Sequence, residues 1–395
     1  MTSGKHGIAR RFGGATPGLV ARAALGVALC LGLFGLLAEM HVSEGESHMD
    51  RAYAEPAVQT SQVYSIVSNM TLDEKISQMI MPAFRTWNGE AVTDLSGMPE
   101  LASALQRHQY GGVVLFGENI MDTEQVTRLV AAIQENNGAI SGVTAHVPYF
   151  MAIDQEGGEV VRLADGTRMP GNMAVGATGA HARDNAQATG RVIGEELHAL
   201  GFNVNFAPDI DVNNNPANPV IGVRSFSDDP TVVAELGVAY SAGLREFGII
   251  PAVKHFPGHG DTAIDSHTGT PVIDKTYEEA KGLELVPFQT AVDGNAEMVM
   301  TAHIVFPAMD DEVELGDGVT RGYYPATMSK HLITDVLRGD MGFSGVVVTD
   351  ALEMEAIRGA GLVPGGYGSA EYGANVAREV IGAGVDILLL PMDLT

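Results

Sequence analysis

The sequence predicts an α/β fold, a (β/α)8 TIM-type barrel, from three observations. Short apolar runs alternate with longer helical stretches along residues 65–395. The runs are nearly continuous in apolar residues, as strands buried on both faces of a parallel sheet are. Polar residues able to do chemistry stand just past the ends of successive runs, as at the mouth of a barrel.

The runs fall at 77–84 (SQMIMPAF), 111–117 (GGVVLFG), 147–154 (VPYFMAID) and 202–210 (FNVNFAPDI). They continue at 251–256 (PAVKHF), 297–306 (EMVMTAHIVF), 345–352 (GVVVTDAL) and 385–393 (VDILLLPMD). Helices are expected between them at 123–137, 182–200, 230–247, 277–293 and 368–383. Pro230 after an Asp pair and the Thr276-x-x-Glu279 box read as helix starts. A doubly wound open sheet would also alternate in this way. No glycine-rich dinucleotide fingerprint follows the first run, which counts against it.

Composition sets the outer limits. A chain of 395 residues with 45% hydrophobic and 18% charged residues can bury a large core. The formal net charge is −26, and residues 1–22 hold Lys5, Arg10, Arg11 and Arg22 without an acid, so the remainder is more acidic still. Such a surface repels phosphate backbones, and nucleic acid is not expected as a partner. Cys30 is the only cysteine, so no disulfide is expected.

Residues 1–40 read as a signal peptide or N-terminal membrane anchor. The apolar run from Ala23 to Ala38 follows a basic segment and is shorter than the roughly 20 residues a spanning helix needs. A buried core helix would not lie there behind such flanks. The protein is therefore expected to be exported to the cell envelope or beyond, its N-terminal segment touching the membrane. Residues 41–64 read as a polar linker, with a small-x-small sequence at Ala52–Ala54.

The strand-end residues are Asp154, Asp209, Asp211, Lys254, His255, His303 and Asp350. Asp350 follows four β-formers and fits a nucleophile, a metal ligand or a helix cap equally well. In DQEGGEVVRL (154–163), Asp154 and Arg162 flank a Gly157-Gly158 turn and can hold hydroxyls, or simply pair with each other, with Glu156 as structural partner. Arg224 is the only cation in the polar stretch 211–230 and is a candidate ligand clamp. KHFPGHGDTAIDSH (254–267) holds possible metal ligands in His255, His259, Asp261, Asp265 and His267. Pro257 and Gly258 exclude the helix that would align the first two histidines. Asp265, two residues from His267, instead suits a proton-transfer dyad in which the carboxylate orients the imidazole. His259 reads as structural.

KHFPGHGDTAIDSH, DQEGGEVVRL, NPVIGVRSF and GVVVTDALEM occur in this order at spacings that resemble the β-N-acetylglucosaminidase branch of glycoside hydrolase family 3. The resemblance spans about 65–395 and implies a retaining β-N-acetylhexosaminidase on a TIM-type barrel. It implies Asp350 as nucleophile, His267 as general acid/base and Asp265 as its partner. It implies that Asp154, Arg162, Arg224, Lys254 and His255 hold the sugar, with His303 nearby, and that no metal or cofactor is needed. The substrate class implied is amino-sugar oligosaccharides, either peptidoglycan fragments or chitooligosaccharides. The family continues with a last barrel helix that this sequence, ending at Thr395, does not include. A β-glucosidase, a glycosyl phosphorylase, a metal-dependent barrel hydrolase and a non-catalytic sugar-binding protein are the competing readings.

Overall fold

The computed structural model describes residues 56–391, apart from 268, 360 and 367. The segment 1–40, Cys30 and Ala52–Ala54 lie outside the described residues. Among the described residues no helix is long and apolar enough to cross a membrane.

The apolar runs form parallel strands: β1 (Ile80–Met81), β2 (Gly112–Leu115), β3 (Phe150–Ile153), β4 (Val204–Asn205), β5 (Ile250–Phe256), β6 (Met298–Thr301), β7 (Val346–Thr349) and β8 (Leu388–Leu389). β2 through β7 make one six-stranded sheet in chain order, and β1 pairs with β8. Single parallel bridges, Ala83 with Val114 and Val348 with Ile387, join the pair to both ends of the sheet. The result is a TIM-barrel-like ring of parallel strands.

Both faces of these strands are buried, which explains the unbroken apolar runs. Met81, Val114, Phe150, Phe206, Met300 and Val348 pack inside the ring. Their neighbours Val113, Met151, Val253, Val299 and Val347 pack outward under the helices. Burying each such side chain contributes about 1.5–3 kcal/mol.

The helices start where the sequence places caps. Asp122 accepts the Gln125 N–H at 2.7 Å to open Thr123–Gly138, and Asp229 accepts the Thr231 N–H at 2.8 Å ahead of Pro230–Arg245. Ser369 caps Ala370–Ala383, which ends on Gly384 in the left-handed region at φ 111°.

Two expectations need correction. The linker reading of 41–64 fails from Pro56 on, because Pro56–Asn69 is helical. Val63, Val67 and Met70 recur at helical spacing and are buried, a stripe hidden within a polar average. The helix expected over 277–293 is two, Tyr277–Lys281 and Leu285–Asp293. Gly282 caps the first, and Pro287 is tolerated only near the start of the second.

Candidate active site

Each strand end delivers its polar residue to the same mouth. Lys254, in β5, is buried and extends Nζ to Asp154 Oδ1 at 2.9 Å and to Glu156 Oε1 at 2.7 Å. Asp154 follows β3 and also meets Arg162 Nη2 at 3.6 Å. Burial opposes the Lys254 charge, but Asp154 and Glu156 outweigh it and raise its pKa.

Arg224 comes from the 211–230 loop and forks onto Glu156, Nε to Oε2 at 3.0 Å and Nη2 to Oε1 at 2.7 Å. Burial alone would lift the Glu156 carboxyl, yet Arg224 and Lys254 hold it well below the usual carboxylate range. Glu156 is thus the anchor of both cations and not the partner of Arg162. Asn172 steadies the loop by donating to the Arg224 carbonyl at 2.7 Å.

His255 Nδ1 lies 2.7 Å from Asp211 Oδ2, and the same carboxylate accepts the His255 and His259 N–H groups. Burial pushes the His255 pKa down to about 4, so its imidazole is neutral near pH 7.

Asp350 stands just past β7, its Oδ1 accepting the Ala351 N–H at 2.7 Å. Burial works against its charge. His303, His255 and the Ala351 N–H more than offset that and lower its pKa, so the group is an ionised carboxylate.

His303 does not offer a free nitrogen to a sugar. Its Nε2 donates to the Ala351 carbonyl at 2.9 Å, and its Nδ1 lies 2.8 Å from Thr327 Oγ1. Both ring nitrogens are engaged, Nε2 with the segment after Asp350 and Nδ1 with Thr327, so the ring sits behind Asp350.

Asp265 Oδ1 accepts the His267 backbone N–H at 2.8 Å and lies 2.8 Å from its Nδ1. With Nδ1–H donating to the carboxylate, Nε2 is left for other chemistry. The His267 side chain is 67% exposed. The loop is tied to the segment after Asp350 where the Ala356 N–H meets the Ser266 carbonyl at 3.2 Å.

The other polar residues of this loop go to separate partners. His259 Nδ1 lies 2.8 Å from Thr262 Oγ1, and Asp261 pairs with Lys275 at 2.7 Å. They do not converge as metal ligands. Among the described residues, the acid/histidine grouping that comes within 4.8 Å is Asp209, Asp211 and His255. His255 Nδ1 is bonded to Asp211 at 2.7 Å, and Arg224 Nη2 lies 3.6 Å from Asp209.

The loop's placement depends on Gly260. A Cβ there would lie 1.7 Å from the Val212 carbonyl oxygen, and Asn218 Nδ2 bonds the Gly260 carbonyl at 3.0 Å. Gly260→Ala is expected to cost at least about 1–3 kcal/mol and to lower kcat on the order of 10²-fold by shifting the dyad. Urea unfolding and steady-state kinetics check this; wild-type values in both would show that the contact relaxes freely.

Arg85, Phe116 and Glu353 at the mouth carried no signal in the sequence. Arg85, after β1, lies over the Phe116 ring at 3.9 Å, and Arg162 approaches the same ring at 5.7 Å. Arg85 reaches Glu353 across the mouth at 3.3 Å. Only the fold brings these residues, from four different segments, into one wall.

Residues 71–395 match the profile of the Glycosyl hydrolase family 3 N terminal domain. The chain is 40% identical over 337 residues to beta-hexosaminidase A of Pseudoalteromonas piscicida, covering 82% of this chain and 54% of that protein. It is 37% identical over 267 residues to a beta-hexosaminidase of Stenotrophomonas maltophilia, covering 66% and 72%. Among solved structures it resembles a glycoside hydrolase family 3 beta-N-acetylglucosaminidase from Paenibacillus sp., with TM-score 0.67 and 38% identity over 81% of this chain and 55% of that one. It also resembles a beta-N-acetylhexosaminidase from Beutenbergia cavernae, with TM-score 0.67 and 30% identity over 82% and 88%. The chain thus spans about half the length of the first of these relatives.

Proposed function

The chain belongs to glycoside hydrolase family 3, and from that premise we propose that it is a retaining β-N-acetylhexosaminidase releasing terminal β-linked N-acetylglucosamine. The observation that carries this reading is Asp350, a carboxylate kept ionised at a strand end beside the Asp154–Lys254–Glu156–Arg224 cluster. Every relative named above whose activity is stated is a hexosaminidase or N-acetylglucosaminidase.

In the first step Asp350 attacks the anomeric carbon as the glycosidic C–O bond breaks, and His267 Nε2–H passes its proton to the leaving oxygen. In the second, neutral Nε2 takes a proton from water, whose oxygen displaces Asp350 from the same carbon. Asp265 holds the ring through Nδ1 in both steps. Asp154, Arg162 and Lys254 hold the sugar hydroxyls, while Arg224 and Glu156 brace them. The chemistry needs no cofactor. We extend the reading to an exported protein acting on peptidoglycan fragments or chitooligosaccharides, on the strength of the basic and apolar N-terminal segment.

The test compares p-nitrophenyl N-acetyl-β-glucosaminide with the β-glucoside, with and without phosphate. The acetamido substrate is expected to be favoured at least about 10²-fold, because a site built for a hydrogen-bonding group rejects its absence. Phosphate is expected to leave the rate unchanged. Equal rates on both glycosides would end the amino-sugar assignment, and phosphate-dependent turnover would make the enzyme a phosphorylase.

A further inference from the structure

The buried cluster holds more carboxylates than fixed cations. Asp154, Glu156, Asp209, Asp211 and Asp350 are served by Lys254, Arg162 and Arg224. Lys254 is taken by Asp154 and Glu156, and the Arg224 fork goes to Glu156. Asp209, Asp211 and Asp350 are left without a cation in hydrogen-bond reach, and of the three Asp209 is the one with a buried oxygen that makes no hydrogen bond.

Asp209 follows β4 and is wholly buried. Its Oδ1 accepts the Asp211 N–H at 2.9 Å. Its Oδ2 makes no hydrogen bond, although Arg224 Nη2 is 3.6 Å away and His255 Nδ1 is 4.0 Å away. The charged and titratable groups that face it are Asp211 on its own loop, Arg224 and Glu156 on neighbouring loops, and His255 on β5. A bare carboxylate oxygen here would be both dehydrated and repelled by Asp211. The same oxygen carrying a proton is neutral and escapes both the desolvation of a charge and that repulsion.

We propose that Asp209 is a positioning residue that stays protonated in the working enzyme, leaving Arg224 forked on Glu156 and His255 a neutral imidazole on Asp211. The proposal rests on the hexosaminidase reading for its kinetic test only. Burial first, and the Asp211 charge second, push the Asp209 carboxyl up to about 7. Ionisation would set a new anion beside Arg224 and His255. It would draw the guanidinium away from Glu156 and a proton onto the imidazole, loosening the wall that holds the sugar.

The sign in stability follows from the raised value. The folded state keeps a proton that the unfolded chain releases near the ordinary aspartate pKa. Asp209 therefore weakens the fold progressively as pH rises from about 4 to about 7, and the penalty is constant above that.

Asp209→Asn mimics the protonated acid and cannot ionise. Near pH 6 its kcat/KM is expected within about threefold of wild type. Toward higher pH it is expected to fall less steeply than wild type, which also loses the Asp209 proton there. The variant's Tm advantage is expected to grow between about pH 4 and 7 and then level off. Infrared spectra of the wild type are expected to show a protonated-carboxyl band near pH 6 that fades through neutrality. Parallel alkaline limbs with a pH-independent Tm difference would overturn the proposal. So would a folded variant inactive at every pH, which would mean that the charge is required. If the variant does not fold, the absence of the infrared band in the wild type overturns it. If the wild type lacks hexosaminidase activity altogether, the functional reading fails, while the Tm and infrared comparisons still decide the state of Asp209.

Discussion

Asp350→Ala is expected to lower kcat on p-nitrophenyl N-acetyl-β-glucosaminide by at least about 10³-fold while leaving the protein folded. The large loss follows from the chemistry: without the carboxylate no covalent glycosyl-enzyme can form, and water must attack an unactivated acetal. The small structural effect follows from the surroundings. The side-chain bond seen for Asp350 is the local one to the Ala351 N–H. Ala351 itself is held by His303, and the segment by Leu352 N–H to the Leu389 carbonyl at 3.0 Å. Removing one anion from an acid-rich cluster also relieves repulsion.

Two measurements separate this from a folding defect. A 2-fluoro or slow-leaving-group amino-sugar substrate is expected to label the wild type on the peptide carrying Asp350 and to leave the variant unlabelled. Azide, small enough for the space vacated by the carboxylate, is expected to restore turnover in Asp350→Ala as an external nucleophile. A label on any other residue, or a variant with near wild-type kcat, would refute the mechanism.

The barrel was legible in the sequence because burial on both faces leaves an unbroken apolar run at each strand, and a parallel ring brings every strand end to one mouth. Asp154, Lys254, His255 and Asp350 could be placed by that logic alone. Pairings were not legible, since they join residues far apart in the chain. Glu156 lies six positions from Arg162 but finds Arg224, 68 positions away. His303 reads as a ligand at a strand end until Thr327, 24 positions on, takes one nitrogen and Ala351 the other. Asp209 looked like one more strand-end acid. Its lack of a fixed cation of its own emerges only after Lys254 and Arg224 are assigned to other carboxylates.

The Glu156–Arg224 fork carries the largest expected effect on stability. Glu156→Ala is expected to cost about 3–5 kcal/mol, the range for removing one partner of a buried ion pair. The side chain is 3% exposed and answers both Arg224 and Lys254. Its loss strands two buried cations: Lys254 keeps Asp154 at 2.9 Å, while Arg224 is left with only the Asp209 carboxyl at 3.6 Å. Arg224→Ala leaves the converse defect, but Lys254 still serves Glu156, so the smaller cost is expected there. The double variant Glu156→Ala/Arg224→Ala removes both ends of the fork and is expected to cost less than the two singles together, by about 0.5–3 kcal/mol. Glu156→Gln tests the charge by itself. Because Arg224 and Lys254 hold the Glu156 carboxyl below its ordinary range, that charge stabilises the fold above the unfolded pKa and is lost as pH falls. The wild-type advantage over Glu156→Gln should therefore be complete near pH 7 and shrink below about pH 4. Burial predicts little dependence on salt. Urea unfolding of the wild type and the four variants across pH measures all of this, and strict additivity of the two alanine substitutions would show that the fork contributes nothing beyond its separate side chains.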